Sequence, residues 1–161
     1  DAPAHYAADG AFGTQGVVAL PSNATALSLD VASNVLLARD SPDVVMRFLP
    51  QGALDPAFGQ NGIAPLPFEP TALVASLAVG PTSNDTFAVA AGSLSSGIEL
   101  ARLDASGAPV STFGLGGFAF TSTDVDVLPQ RAIFDSAGRL WVAVRADQGG
   151  AFIARYRIVG P

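Results

Sequence analysis

Apolar and polar residues alternate along most of the chain in short segments, which are separated by turns rich in Gly, Pro, Asp and Ser. An apolar period of two residues predicts half-buried β-strands, and no segment combines a helical period with helix caps. We expect about twelve strands in three groups of four: 16–20, 25–31, 35–38 and 44–49; 63–66, 72–79, 87–91 and 98–103; 118–121, 131–134, 140–145 and 152–158. The chain is therefore predicted to be all-β.

A phrase of basic, aromatic and turn residues separates these groups, and its best copy is residues 47–63, RFLPQGALDPAFGQNGI. A second copy covers 102–118, and an upstream copy at 5–17 is interpreted as shortened before its phenylalanine. Arg155 and Tyr156 begin the phrase a fourth time. The phrase thus indicates an internal repeat, the feature to look for first in such a chain.

The phenylalanines of the three copies give approximate repeats at 12–57, 58–112 and 113–161, within a single repeat domain that spans 1–161. A period of about 50 residues is typical of propeller blades, each of which is a small four-stranded sheet. We predict three four-stranded β-propeller-type blades. Since four to eight blades usually close a ring, this predicts a partial propeller or half of a dimeric ring. We therefore expect a protein partner or self-association through the terminal blades.

The Phe-Gly-x-x-Gly element of the phrase places a large ring between two flexible points of the chain. We interpret Phe12, Phe58 and Phe113 as rings that bury beneath the turn, where a fully buried Phe contributes roughly 1.5–3 kcal/mol. A glycine-rich loop can also bind phosphate, but such loops precede a helix and usually include a basic residue. Here a strand-like run follows each copy and the chain has no lysine, so the structural interpretation is favoured.

The complete phrase, Arg-aromatic-x-x-x-Gly-x-Leu-Asp-x-x-Phe-Gly-x-x-Gly followed by Asp-x-x-Gly hairpins, resembles the delta-60 repeat family of bacterial proteins. Residues 47–63 match this pattern almost throughout, and the resemblance extends over nearly the whole chain as three copies. The second copy departs from it, because Pro109-Val110 replaces Leu54-Asp55. The resemblance implies a propeller-like fold within large secreted or surface proteins and no common catalytic motif.

Charge and composition narrow the class of function. The formal net charge is −6, from eight arginines and 14 acidic residues, of which only Glu69 and Glu99 are glutamates. This balance argues against nucleic-acid binding, because phosphate contacts need clustered basic side chains. No uninterrupted apolar run reaches about 18 residues, which argues against direct membrane insertion. Cysteine is absent, so a thiolate metal site is excluded.

Candidate catalytic and metal-binding residues are few. His5 is the only histidine, and it stands where the other copies have arginine, so we interpret it as structural. One histidine cannot build a zinc site, and the sequence has no nucleophile elbow to accompany it. We predict no catalytic residue, no cofactor and no metal, and hence no enzyme. One alternative stays open, since Asp124 and Asp126, or the loop 40–43, offer the oxygen ligands that Ca²⁺ takes.

Trp141 is the only tryptophan and lies in the predicted strand 140–145. Alternation places Arg139, Trp141 and Arg145 on one face of that strand and its aliphatic residues on the other. A tryptophan between arginines can stack on sugars or anions. It can equally form a contact between blades in which the arginine stems cover the ring. Both interpretations stay open.

The expected function is a non-catalytic structural or interaction subunit outside the cytoplasm, in the periplasm, at the cell surface or secreted. The alternative is a carbohydrate-binding or hydrolytic propeller domain. A hydrolase would need paired catalytic carboxylates, and the supply of glutamate is limited to Glu69 and Glu99.

Overall fold

The computed structural model describes residues 7–20, 23–40, 42–68, 73–81, 85–91 and 96–158. Within these ranges the protein has no helix and eleven strands: β1 Ala24–Leu29, β2 Val35–Arg39, β3 Val44–Phe48, β4 Ile63–Pro65, β5 Leu73–Val79, β6 Thr86–Ala91, β7 Gly97–Leu103, β8 Phe118–Ser122, β9 Val127–Phe134, β10 Arg139–Ala146 and β11 Ala151–Arg157. The predicted all-β class is confirmed. No helix long and apolar enough to cross a membrane occurs in the described part of the chain.

The strands form three antiparallel sheets. The first sheet has the order β1-β2-β3-β4, the second β5-β6-β7-β8 and the third β11-β10-β9. Within the described residues the third sheet has three strands, so the prediction of four strands per sheet holds for the first two sheets alone. The predicted strand 16–20 is wrong, because no described strand pairs with it and only an isolated bridge joins Thr14 to Val17.

The sheets stack side by side with their first strands adjacent, since β5 contacts both β1 and β9. A hydrophobic core fills each junction. The core between the first and second sheets includes Phe58, Leu36 and Leu103. The core between the second and third sheets includes Phe87 and Leu140. The second sheet is therefore covered on both faces.

The outer face of the first sheet, which points away from the second sheet, has a smaller core of its own. Leu37, Met46 and Phe48 are buried there, and Val18 and Leu20 pack against them. The segment that contains Val18 and Leu20 thus covers part of the first sheet.

The Phe-Gly-x-x-Gly element forms the same turn three times, here termed the Phe-Gly turn (12–16, 58–62 and 113–117). In each copy the N–H of the second glycine donates to the carbonyl of the phenylalanine, at 2.9, 2.7 and 2.9 Å. The first glycine has φ of 57°, 55° and 56° in the three copies. The phrase that the sequence repeats is therefore also repeated in backbone geometry.

The first copy of the phrase has no gap between Asp9 and Phe12, contrary to the expectation that it is shortened before its phenylalanine. The N–H of Phe12 donates to the carbonyl of Asp9 at 3.0 Å, just as the N–H of Phe58 donates to that of Asp55 at 3.1 Å. Each aspartate also accepts, through Oδ1, the backbone N–H two residues further on. Residues 9–12 therefore correspond to 55–58 without a gap.

A proline lies in the short edge strand β4. β4 is three residues long and pairs with β3 alone among the described strands. Its last residue, Pro65, lies opposite Val44. Because proline donates no hydrogen bond to a ladder, it is suited to such an edge position.

Gly59 is expected to be the least replaceable glycine of the best Phe-Gly turn. A Cβ at this position would collide with the carbonyl oxygen of Ile63, and φ is already in the left-handed region. Gly116 is also left-handed, but nothing lies near its missing Cβ. We expect Gly116→Ala to lower the free energy of unfolding by about 1 kcal/mol and Gly59→Ala by more than ~2 kcal/mol. Urea unfolding checks the order, and equal losses would contradict it.

Candidate interaction site

Each sheet carries one arginine at an equivalent position on the same face. Each lies directly opposite an apolar residue of the neighbouring strand: Arg47 opposite Leu36, Arg102 opposite Phe87, and Arg155 opposite Trp141. In the first two sheets this face packs against the next sheet, because Leu36 lies in the first junction and Phe87 in the second. We refer to it as the forward face.

Arg47 joins its own strand, the Phe-Gly turn and the second sheet. Its Nε donates to Asp55 Oδ2 at 2.8 Å, and its Nη2 lies 2.8 Å from the same oxygen. Its guanidinium carbon lies 4.6 Å from the centre of the Phe58 ring. Its Nη1 donates to the carbonyl of Ala105, in the turn that follows β7, at 2.6 Å. A single buried side chain therefore fixes the junction of two sheets.

The carboxyl of Asp55 is held ionised by these contacts. The backbone N–H of Ala57 and the guanidinium of Arg47 lower the pKa of Asp55. Burial raises this pKa, but the net shift is downward. The pair is thus a buried ion pair with hydrogen bonds on both carboxylate oxygens.

Arg102 makes the corresponding ion pair with a different carboxylate. Its N–H groups contact Asp85 Oδ2 at 2.8 and 2.6 Å, and its guanidinium lies 5.6 Å from the centre of the Phe87 ring. In the second copy of the phrase the position of Asp55 is taken by Val110, whose N–H bonds the carbonyl of Arg102. The loop between β5 and β6 thus supplies the carboxylate that the phrase lacks.

In the third sheet the corresponding position is a tryptophan held between two arginines. Trp141 Nε1 donates to Asp135 Oδ2 at 2.8 Å, and Arg139 Nε donates to the same oxygen at 2.7 Å. The guanidinium carbons of Arg155 and Arg139 lie 5.2 and 5.8 Å from the Trp141 ring. Hydrogen bonds from the Trp141 indole and the Arg139 N–H groups hold the pKa of Asp135 well below its usual range. This cluster fixes the plane of the ring.

The forward face of the third sheet is open to solvent. Ile153 is 69% exposed, whereas its counterparts Val45 and Leu100 in the other two sheets are 0% and 2% exposed. Ile133 is also exposed, and together with Trp141 it lines a groove of about 300 Å³. The third sheet therefore presents to water a face of the kind that the other two sheets bury.

The alternation predicted around Trp141 is confirmed, since Leu140, Val142 and Val144 are buried on the opposite face. The two arginines that contact the ring are Arg139 and Arg155, rather than the predicted Arg145.

The other candidates from sequence do not converge on a site. Asp124 and Asp126 lie at a bend before β9, and Asp126 accepts a hydrogen bond from Ser96 Oγ. Asp40 accepts the N–H of Val74 at 3.3 Å. Across the described ranges, no three His, Cys, Asp or Glu side chains gather where they could hold a metal ion. The predictions about His5 and Glu69 lie outside the described residues.

A second concave surface lies where the first strands of the sheets converge. It is a groove of about 490 Å³ lined by β1, β5 and β9. Most of its lining residues are apolar, but polar atoms form the larger part of its surface, and Gln130 and Arg131 are the long polar side chains. These side chains offer no arrangement that selects a particular ligand.

No protein-family model matches the sequence, and no curated protein matches it. Among solved structures, the chain is similar to selenomethionine-substituted virginiamycin B lyase from Staphylococcus aureus, with 11% sequence identity and a TM-score of 0.38. The alignment covers 86% of this chain and 56% of that chain. This chain thus spans little more than half the length of the lyase.

The prediction that the protein is not an enzyme is contradicted by this neighbour, which is a lyase, and we withdraw it. No activity takes its place, because a likeness at 11% identity and a TM-score of 0.38 does not transfer a reaction from one protein to another.

Proposed function

We propose that the chain is an interaction module built from propeller-type repeats of the delta-60 kind, and that it binds a protein partner through the forward face of its third sheet. The observation that carries the proposal is the exposure of Ile153 at a position where the other two sheets bury their side chains. The setting we propose, from the resemblance of the repeats, is outside the cytoplasm.

The physical argument is the cost of leaving this face in water. Ile133 and Ile153 are exposed, and burying a large aliphatic side chain contributes about 1.5–3 kcal/mol. Trp141 is already fixed by Asp135, so a partner that covers it loses little side-chain entropy. Rigid aromatic and arginine side chains at the centre of a patch are typical of interface hot spots.

Light scattering at low micromolar concentration tests the proposal. We expect a molar mass above the 16.3 kDa of one chain, or a stable complex with a co-purified protein. Ile153→Asp should weaken association at least tenfold, because it places a charge on the face that a partner would cover. Leu115→Asp is the matched control, since Leu115 is 86% exposed at the tip of a Phe-Gly turn and does not line the groove beside Trp141. A well-folded species of 16.3 kDa without partner would contradict the proposal.

A further inference from the structure

The first two sheets are each completed by a strand that follows a Phe-Gly turn. β4 follows the turn at 58–62 and pairs with β3, and β8 follows the turn at 113–117 and pairs with β7. In the third sheet β11 pairs with β10 alone among the described strands. Residues 17–20 follow the turn at 12–16, yet they pair with no described strand. The protein therefore presents a sheet edge and an unpaired segment that match.

We propose that residues 17–20 of a second copy of this chain pair with β11 and complete the third sheet. This inference rests on the proposed function, because it names the partner of the same open face. The first sheet of that second copy then covers the forward face.

The two complete sheets fix the register of this pairing. In the first sheet Met46 lies opposite Ile63, and in the second Ala101 lies opposite Phe118. The equivalent residues are Ala154, one before Arg155, and Val17, one after its turn. By the same rule Phe152 lies opposite Ala19 of the second copy.

The segment is already placed as such a strand would be. The N–H of Gly13 donates to the carbonyl of Gln51 at 2.8 Å, and the N–H of Gly59 donates to that of Ser106 at 2.7 Å. The turn at 12–16 therefore contacts the first sheet in the way that the turn at 58–62 contacts the second. Residues 17–20 therefore lie where the last strand of a sheet stacked before the first sheet would lie. The third sheet of another copy can take the place of that preceding sheet.

The face that such a sheet would meet is exposed at the expected positions. Leu27 on the outer face of the first sheet is 66% exposed, whereas its counterpart Leu77 in the second sheet is 4% exposed. Leu29, also on β1, is exposed as well. Both ends of the stack thus expose apolar residues that the internal junctions bury.

Charge favours contact between opposite ends of two copies. Five of the eight arginines but two of the fourteen acidic residues lie within 127–157, so the third sheet is basic. Residues 7–66 include five aspartates and two arginines, so the first unit is acidic. Complementary charge steers association and suppresses the opposite pairing of like ends.

Cysteine cross-linking tests the register directly, because the chain has no cysteine of its own. In the double variant Val17→Cys/Ala154→Cys, paired positions on adjacent strands bring the two Cβ atoms within the range of a disulfide. We expect oxidation to give a covalent dimer, or a ladder of multimers if the head-to-tail contact stays open, and reductant to reverse it. Ala19→Cys/Phe152→Cys checks the same register independently.

The matched control is Val17→Cys/Ala151→Cys. Ala151 is exposed on the same strand, about 10 Å from Ala154 along β11. Cross-linking that is as efficient in this control, or a disulfide within one chain, would overturn the inference. Light scattering on the reduced variants separates the two proposals. If the protein associates but neither predicted cross-link forms, the proposed strand pairing is contradicted and the proposed function is not. If the protein is a folded monomer, both the strand pairing and the proposed function are contradicted.

Discussion

Replacing Phe58 by alanine is expected to lower the free energy of unfolding by about 3–5 kcal/mol, as truncation of a core aromatic does. Phe58 is 1% exposed and lies in the core between the first and second sheets. The Arg47 guanidinium lies over its ring, and the turn at Gly107 packs against the ring edge. The cavity would open at a junction of strand, turn and neighbouring sheet, which cannot easily collapse.

Two further phenylalanines provide the comparison. Phe113 occupies the same position in its turn but is only partly buried, so Phe113→Ala should cost less than Phe58→Ala. Phe152 is exposed on β11, and its replacement should change stability by no more than about 0.5 kcal/mol in a monomeric background such as Ile153→Asp. Urea unfolding measures the loss of stability in all three variants, provided that the m-value is unchanged. Equal losses at 58 and 152 would show that the turn does not anchor the junction.

The burial of Phe58 could be predicted from sequence because the turn that encloses it is local. The positive φ of Gly59 and Gly62 and the ring that precedes them are properties of one short stretch. The weaker burial of Phe113 could not be predicted. Phe58 is covered by Arg47 of its own sheet and by the turn at Gly107 of the next sheet, whereas Phe113 packs edge-on against Phe87 and is partly buried.

Strand positions were largely predictable, whereas strand pairing was not. β9 begins at Val127, four residues before the predicted start, although it contains Pro129, which is unfavourable inside a strand. The sheet accommodates it through an irregularity in register beside Val144. The strand predicted at 16–20 has the right pattern but no partner among the strands that the structure describes, since pairing depends on what lies beside a segment.

At the interaction site too, some features could be predicted from the sequence and others could not. The arginine of each phrase was visible in the sequence, and so was the face that carries Trp141. The carboxylate partners of Arg47 and Arg102 were not, because they come from different places: Asp55 from the phrase itself, and Asp85 from the β5–β6 hairpin. Only the fold brings the hairpin of one strand pair to the arginine of another strand.

Replacing Asp55 by alanine is expected to lower the free energy of unfolding by about 3–5 kcal/mol, because it leaves the buried Arg47 guanidinium without its counter-ion. It also removes the acceptor for the N–H of Ala57. Asp135→Ala is the matched comparison. Its ion pair with Arg139 is more exposed to solvent, and we expect a clearly smaller loss than for Asp55→Ala.

The pH dependence of stability identifies the ionised carboxyl as the cause. The pKa of Asp55 is lower in the folded protein than its ordinary value of 3.8, mainly through the N–H of Ala57 and then Arg47. Its contribution is therefore complete above about pH 4 and is lost as the pH falls through the folded-state value. Asp55→Asn should remove this acid-sensitive part while keeping the side-chain volume. The double variant Arg47→Met/Asp55→Leu should recover much of the loss, because an apolar pair needs no counter-ion. An Asp55→Asn variant whose stability falls in acid as steeply as that of the original chain would show that the pair is not what fixes the junction.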